Sequence, residues 1–153
     1  MVRAPEPREL DRVAALFTAL LDHHASSSGR FAPAEGVPGL DAWLARALDD
    51  PDQALRVAAL PDGNLAGFAL SVVSVRPGFF AETRRGEVAH LFVRADQRRH
   101  GVGRALVGDA FAWLRSRGVV RVAIQVDRDN AEGRAFWQRL GFAPAMDGME
   151  CAL

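Results

Sequence analysis

The chain has 153 residues, 49% of them apolar and 25% charged, which suits the core of one ordinary domain and excludes a disordered tail or a multidomain machine. Nineteen basic residues meet nineteen acidic ones for a formal net charge of +0, so no bulk positive field exists to hold nucleic acid or an anionic membrane, and neither is expected as a partner. All the basic side chains are Arg, and Tyr is absent.

Met1 to Pro7 mixes charges and prolines where a signal peptide needs an apolar core, so no export is expected. Pro5 and Pro7 stop a first short strand. Leu10, Val13, Ala14, Phe17 and Leu20-Leu21 then recur at helical spacing and predict a helix from about Arg8 to His23. The Ser-, Gly- and Pro-rich stretch from Ser26 to Gly39 reads as a loop, and a shorter helix carries Trp43, Leu44, Ala47 and Leu48 until Asp50-Pro51 ends it. Leu55–Leu60 and Leu65–Val75 read as strands joined by Pro61-Asp62-Gly63-Asn64, whose Asp-Gly pair signals a hairpin. The second of these strands is the longest near-apolar run and is too short to span a bilayer. A third strand is expected at about Glu87 to Val93.

From Gly101 an apolar stripe of Leu106, Val107, Ala110, Phe111 and Leu114 predicts a helix that Arg117-Gly118 stops. Val119 to Val126 is β-branched and apolar and predicts a buried strand. Asp127 to Asn130 reads as a polar turn before another helix through Leu140, and a short terminal strand up to Leu153 is allowed. Cys151 is the only Cys and no Cys/His set has zinc spacing, so no metal and a reducing, cytoplasmic setting are expected. With no repeat or linker, residues 1–153 read as one mixed α/β domain.

The chemically informative stretch runs from Glu87 to Leu106: strand, basic turn with two glycines, helix. Glycines at a helix start let a ligand approach the backbone, and the unpaired N–H groups of the first turn form an anion site with the helix dipole. Arg98, Arg99 and Arg104 add positive charge around the same turn. A nucleoside triphosphatase loop needs a Gly-Lys-Ser/Thr ending that a chain without Lys cannot supply. The dinucleotide fingerprint fails because Leu106 stands where its third glycine belongs.

Arg98-Arg99-His100-Gly101-Val102-Gly103 resembles the R/Q-x-x-G-x-G/A signature of the GNAT superfamily of acetyl-CoA-dependent N-acetyltransferases. Asn130-Ala131 followed by Phe136-Trp137-Gln138-Arg139-Leu140-Gly141-Phe142 resembles that family's N-x-x-A…F-Y-x-x-x-G-F segment, one helix and one strand downstream. The resemblance implies a mostly antiparallel sheet with one splayed parallel pair, flanked by helices. It implies acetyl-CoA as cosubstrate, with its pyrophosphate cradled by Arg98, Arg99, His100, Gly101, Val102, Gly103, Arg104 and Ala105. It further implies that the pantetheine arm pairs with the strand edge at Leu91, Phe92 and Val93 like an added strand, near Asn130 and Trp137. A backbone N–H of that strand would then stabilise the tetrahedral oxyanion. Asn130 serves equally as a helix cap, and Trp137 as core.

Transfer to an amine is helped by a base, because an amine with a pKa near 10 is mostly protonated at neutral pH. Glu87 and His90 are the candidates. Strict alternation puts Glu87, Ala89 and Leu91 on one face and Val88, His90 and Phe92 on the other, so the two cannot act as a pair unless a bulge intervenes. The family's usual acid, a Tyr, is replaced by Trp137. A thiolate leaving group with a pKa near 8.5 departs unprotonated at a cost of about 2 kcal/mol, so transfer without a general acid is expected to be slower yet workable. His23, His24, Phe31, Trp43, Phe79 and Phe80 are candidates for the acceptor wall, although Trp43 also reads as core and the His pair as a helix end. The expected acceptor is a primary amine of a small molecule or a peptide, and a homodimer is allowed. The competing reading is a catalytically silent coenzyme-A-binding module.

Overall fold

The computed structural model describes residues 1–28 and 32–151. Its elements are β1 (Val2–Arg3), α1 (Leu10–Ser28), α2 (Leu40–Asp49), β2 (Gln53–Ala59), β3 (Leu65–Val75), β4 (Arg84–Val93), α3 (Val102–Ser116), β5 (Val122–Ala123) and α4 (Ala131–Arg139). The strands form one sheet in the order β1-β2-β3-β4-β5, antiparallel except for the parallel pair β4 and β5. This is the mixed α/β architecture expected.

Helices cover both faces of the sheet, which is why β3 is a continuous apolar run, buried at every residue from Leu65 to Ser71. On one face α1 and α2 press Val13, Phe17, Leu20 and Leu44 against Leu55, Val57, Phe68 and Leu70. On the other, α3 and α4 press Val107, Ala110, Leu114 and Trp137 against Val73, Val88 and Val119. Burial of each such Val, Leu or Phe side chain is worth roughly 1.5–3 kcal/mol.

The entry to α1 is fixed by charge. Glu9, only 3% exposed, accepts hydrogen bonds from both terminal nitrogens of Arg3 at 2.6 and 2.9 Å, from Arg12 at 2.9 Å and from the Glu6 backbone N–H at 2.8 Å. The Arg3 bonds and then the Glu6 N–H hold its carboxyl down at about 2. This cluster ties β1 to the first helical turn.

Three sequence expectations are corrected. The loop expected from Ser26 starts later, because α1 continues to Ser28, with Ser26 Oγ donating back to the His23 carbonyl at 2.7 Å. The strand expected over Val119–Val126 forms a ladder only at Val122–Ala123, and Val120 is 79% exposed. Its partner β4 moves away, so the apolar residues Ile124 and Val126 pack on the α3/α4 core without pairing. From Pro144 to Cys151 no strand forms among the described residues, and the end of the terminal strand considered above lies outside them.

Candidate functional site

The turn after β4 leaves its backbone open to close approach at Gly101, where an added Cβ would meet nothing within 4 Å. A short 3-10 turn at Ala95–Gln97 leads to Arg99, which adopts φ +67°, and to Gly101 at φ +82°. Positive φ suits Gly101, which has no Cβ to clash. Gly101 caps α3 by position and has no side chain to bond the helix's first amides. The opening N–H groups of α3 therefore point outward without an intrahelical acceptor, at the positive end of the helix dipole. Gly103, the second residue of α3, lies against Phe136 of α4, where an added Cβ would meet the ring at 3.3 Å. Arg99, His100, Arg104 and Ala105 are exposed around this turn, and Val102 is half-buried. A groove of about 230 Å³ adjoins Gly101 and Val102 on the β1–β2 side of α3, away from β5.

The strand leading into the turn parts from its neighbour. β4 and β5 pair only at Gly86 with Val122 and Glu87 with Ala123. Beyond Glu87 the edge of β4 that faces β5 has no strand partner among the described residues, and this unpaired stretch, a wedge between the two chain segments, runs on to the turn before α3. Leu91 and Val93 pack toward the α3/α4 side, and Phe92 toward the α1/α2 side.

A bulge changes which face the candidate bases occupy. Leu70 pairs with His90 but Ser71 pairs with Val88, so Ala89 is an extra residue in β4. Glu87 lies opposite Val72 and His90 opposite Leu70, and both therefore share the face of the sheet covered by α1 and α2. The alternation that separated them in the sequence is undone by that one residue. The His90 ring packs edge-on to Phe17 at 4.8 Å and to Trp43 at 5.8 Å. Burial in this aromatic corner, and then the neighbouring His24, push its pKa down to about 4. His24 is also lowered, first by its own burial and then by His23, and Asp127 opposes that shift. The C-terminal turns of α1 thus bring His24 within electrostatic reach of both His90 and the chain that follows β5.

Arg98 turns inward. Its Nε donates to the Val93 carbonyl at 3.2 Å, and its Nη1 to Glu132 Oε2 at 3.3 Å. Asn130 caps α4, its Oδ1 accepting the Gly133 N–H at 2.8 Å. Trp137 is 8% exposed and sits in the α3/α4 core, edge-on to Phe136 at 5.2 Å and Phe142 at 5.1 Å. Of the acceptor-wall candidates, Trp43 joins His90, whereas Phe79 and Phe80 are 83% and 45% exposed at the closed end of the wedge. Phe31 lies outside the described residues. Sequence reasoning missed Glu132 and Phe136 as neighbours of the glycine turn. The only sequence signal was an acidic residue in the first turn of a predicted helix and an aromatic beside Trp137.

A model of the acetyltransferase (GNAT) family matches residues 17–142. A mycothiol acetyltransferase of Salinispora arenicola is 41% identical over 88 residues, which is 57% of this chain and 28% of that protein. Aminoglycoside N(6')-acetyltransferase type 1 of Klebsiella aerogenes is 37% identical over 92 residues, 58% of this chain and 59% of that protein. A streptothricin acetyltransferase of Streptomyces lavendulae is 32% identical over 105 residues, 69% of this chain and 51% of that protein. The chain thus spans between about a quarter and three-fifths of the length of these relatives. Among solved structures, a mutant of a Bacillus halodurans protein shares the fold with a TM-score of 0.90 at 17% identity, covering 100% of this chain and 99% of that one. A ribosomal-protein-alanine N-acetyltransferase from Brucella melitensis biovar Abortus does so with a TM-score of 0.67 at 22% identity, covering 100% and 99%.

Proposed function

The chain belongs to the GNAT family of acetyltransferases, and from that premise we propose that it transfers acetyl from acetyl-CoA to a primary amine of a small molecule by direct attack on the thioester. The observation that carries this reading is the parting of β4 from β5 after Glu87 and Ala123, with the uncapped start of α3 at the end of the same strand. One strand edge and one helix opening then serve the two ends of a single ligand. The amides that open α3 take the pyrophosphate, and the free edge of β4 takes the pantetheine amides. The thioester comes to rest beside Leu91 and Phe92. The small-molecule acceptor is supported by the relatives named for mycothiol, aminoglycosides and streptothricin.

The amine reaches the thioester from the α1/α2 face, which the bulge makes Glu87 and His90 share. As its nitrogen bonds to the carbonyl carbon, a β4 N–H stabilises the oxyanion. The C–S bond then breaks and coenzyme A leaves as thiolate. Glu87 and His90 are the two candidates on this face to take the amine's proton, directly or through water; a pKa near 4 keeps His90 neutral at pH 7 and makes it a weak acceptor. No Tyr exists to protonate the thiolate, and unassisted departure costs about 2 kcal/mol.

The test joins calorimetry with coenzyme A to a thiol-release assay over a panel of small amines and amine-bearing peptides. Coenzyme binding with release driven by small amines is the expected result. Release with peptides alone overturns the acceptor class. Binding without release from any acceptor replaces catalysis by coenzyme capture.

A further inference from the structure

Arg98 stands where β4 gives way to the glycine turn, and its two hydrogen bonds differ in kind. The bond from Nε to the Val93 carbonyl is part-buried, spans five residues and fixes the plane of the guanidinium. The bond from Nη1 to Glu132 spans 34 residues and is exposed. At 3.3 Å it is long for a charge-assisted pair, which closes to about 2.7–2.9 Å when well formed. The Glu132 side chain is 67% exposed and that of Arg98 31%, and ion pairs of this kind contribute little and exchange readily. The same loop presents amides of α3 that no side chain caps, whereas α4, which carries Glu132 in its first turn, is capped by Asn130. Glu132 is therefore not needed to close its own helix, and its carboxylate reaches back to a cation belonging to the neighbouring loop.

Resting on the reading of this loop as a coenzyme pyrophosphate site, we propose that Glu132 is a placeholder anion. It occupies the outer face of Arg98 in the ligand-free protein and yields it to the pyrophosphate, while Nε stays on Val93. The exchange breaks one guanidinium–carboxylate contact and makes one guanidinium–phosphate contact, with no covalent change. A diphosphate offers several oxygens to the planar fork, whereas Glu132 uses one, so the incoming ligand prevails. Glu132 thus sets coenzyme affinity from α4 by competition, and Arg98 is a binding residue whose idle state is already occupied.

Calorimetric titration of coenzyme A into the wild type, E132Q, R98Q and the double variant R98Q/E132Q tests this, each fold being verified by circular dichroism. E132Q is expected to tighten binding by about two- to fivefold, the range of an exposed ion pair. R98Q is expected to weaken it, and the gain from E132Q is expected to vanish when Arg98 is absent. Unchanged or weaker binding by E132Q overturns the proposal, because a fixed clamp loosens when cut and a competitor does not. A gain that persists undiminished in the R98Q background also overturns it, because Glu132 would then repel the phosphates without acting through Arg98. If R98Q fails to fold, R98M takes its place, since it keeps an unbranched side chain that packs there and removes the positive charge. A wild type that binds no coenzyme A removes the reading of the loop and the proposal together, whereas normal wild-type binding with an inert E132Q removes the proposal alone.

Discussion

His90 shows how much one side chain's surroundings decide. Its ring lies against Phe17 and Trp43, and burial holds its pKa near 4, against about 6.5 in the unfolded chain. Because the folded value is the lower one, the unfolded state binds the extra proton first. The contribution of His90 to stability is therefore complete above about pH 6.5 and is lost as the pH falls from there toward 4. An NMR titration should show its imidazole staying neutral to about pH 4, and H90Q should flatten the fall in stability between these limits and lower kcat by at least about tenfold. A histidine that titrates near 6.5 in the folded protein would contradict the first expectation. Trp137 is the second residue-scale case. It is 8% exposed, so W137A should cost about 3–5 kcal/mol in urea unfolding. W137Y should not be required for turnover, and an assay in which only the Tyr variant transfers acetyl would show that a phenolic acid is indispensable. The motifs around His90 and Trp137 single both residues out in the sequence. The partners of His90 come from two helices far away in the chain, and no local pattern announces them.

Elements were legible in proportion to how local their causes are. The Asp-Gly hairpin, the glycine stop after α3 and the amphipathic stripe of α3 all act within a few residues, and each lies where expected. The bulge at Ala89 belongs to two strands at once, since it appears only as a slip between the registers of β3 and β4. β5 was overestimated for a related reason: β-branched, apolar composition reports burial, and pairing also needs a neighbour that stays close. The join of β1 to α1 gives a prediction at this scale. Glu9 has its carboxyl held near 2, below the ordinary value near 4.3, so its stabilisation is present above about pH 4.3 and is lost as the pH falls toward 2. E9Q should destabilise the protein by about 2 kcal/mol at pH 7, as expected for hydrogen bonds to a charged group. The gap between variant and wild type should close in acid. A gap that stays constant from pH 7 to 3 would mean that packing, not charge, makes this join.

At the scale of the molecule, helices pack on both faces of the sheet around β3 and β4, and the wedge opens on the side of β4 away from β3. Because the ligand is expected to bind the folded chain alone, coenzyme at about 100 times its Kd should add about 2.7 kcal/mol of stability and raise Tm by roughly 5–10 °C. G101D/G103D, which places two carboxylates at the opening of α3, should abolish that rise. A folded double variant with the full rise would move the phosphate site elsewhere. Among the described residues no helix is long and apolar enough to cross a membrane. The order of the elements, with the glycine turn and second motif downstream of Glu87 and the α1/α2 cover upstream, was legible in outline. The width of the opening was not, because it depends on where β5 stops following β4. That early divergence also leaves a seam in the centre of the protein where a strand behaves as if it were at a border. Amides of His90–Val93 that point away from β3 should therefore trade hydrogen for deuterium as quickly as those of a surface loop, although their neighbours bonded to β3 rank among the slowest in the chain. Donor binding should bring the two sets to the same pace.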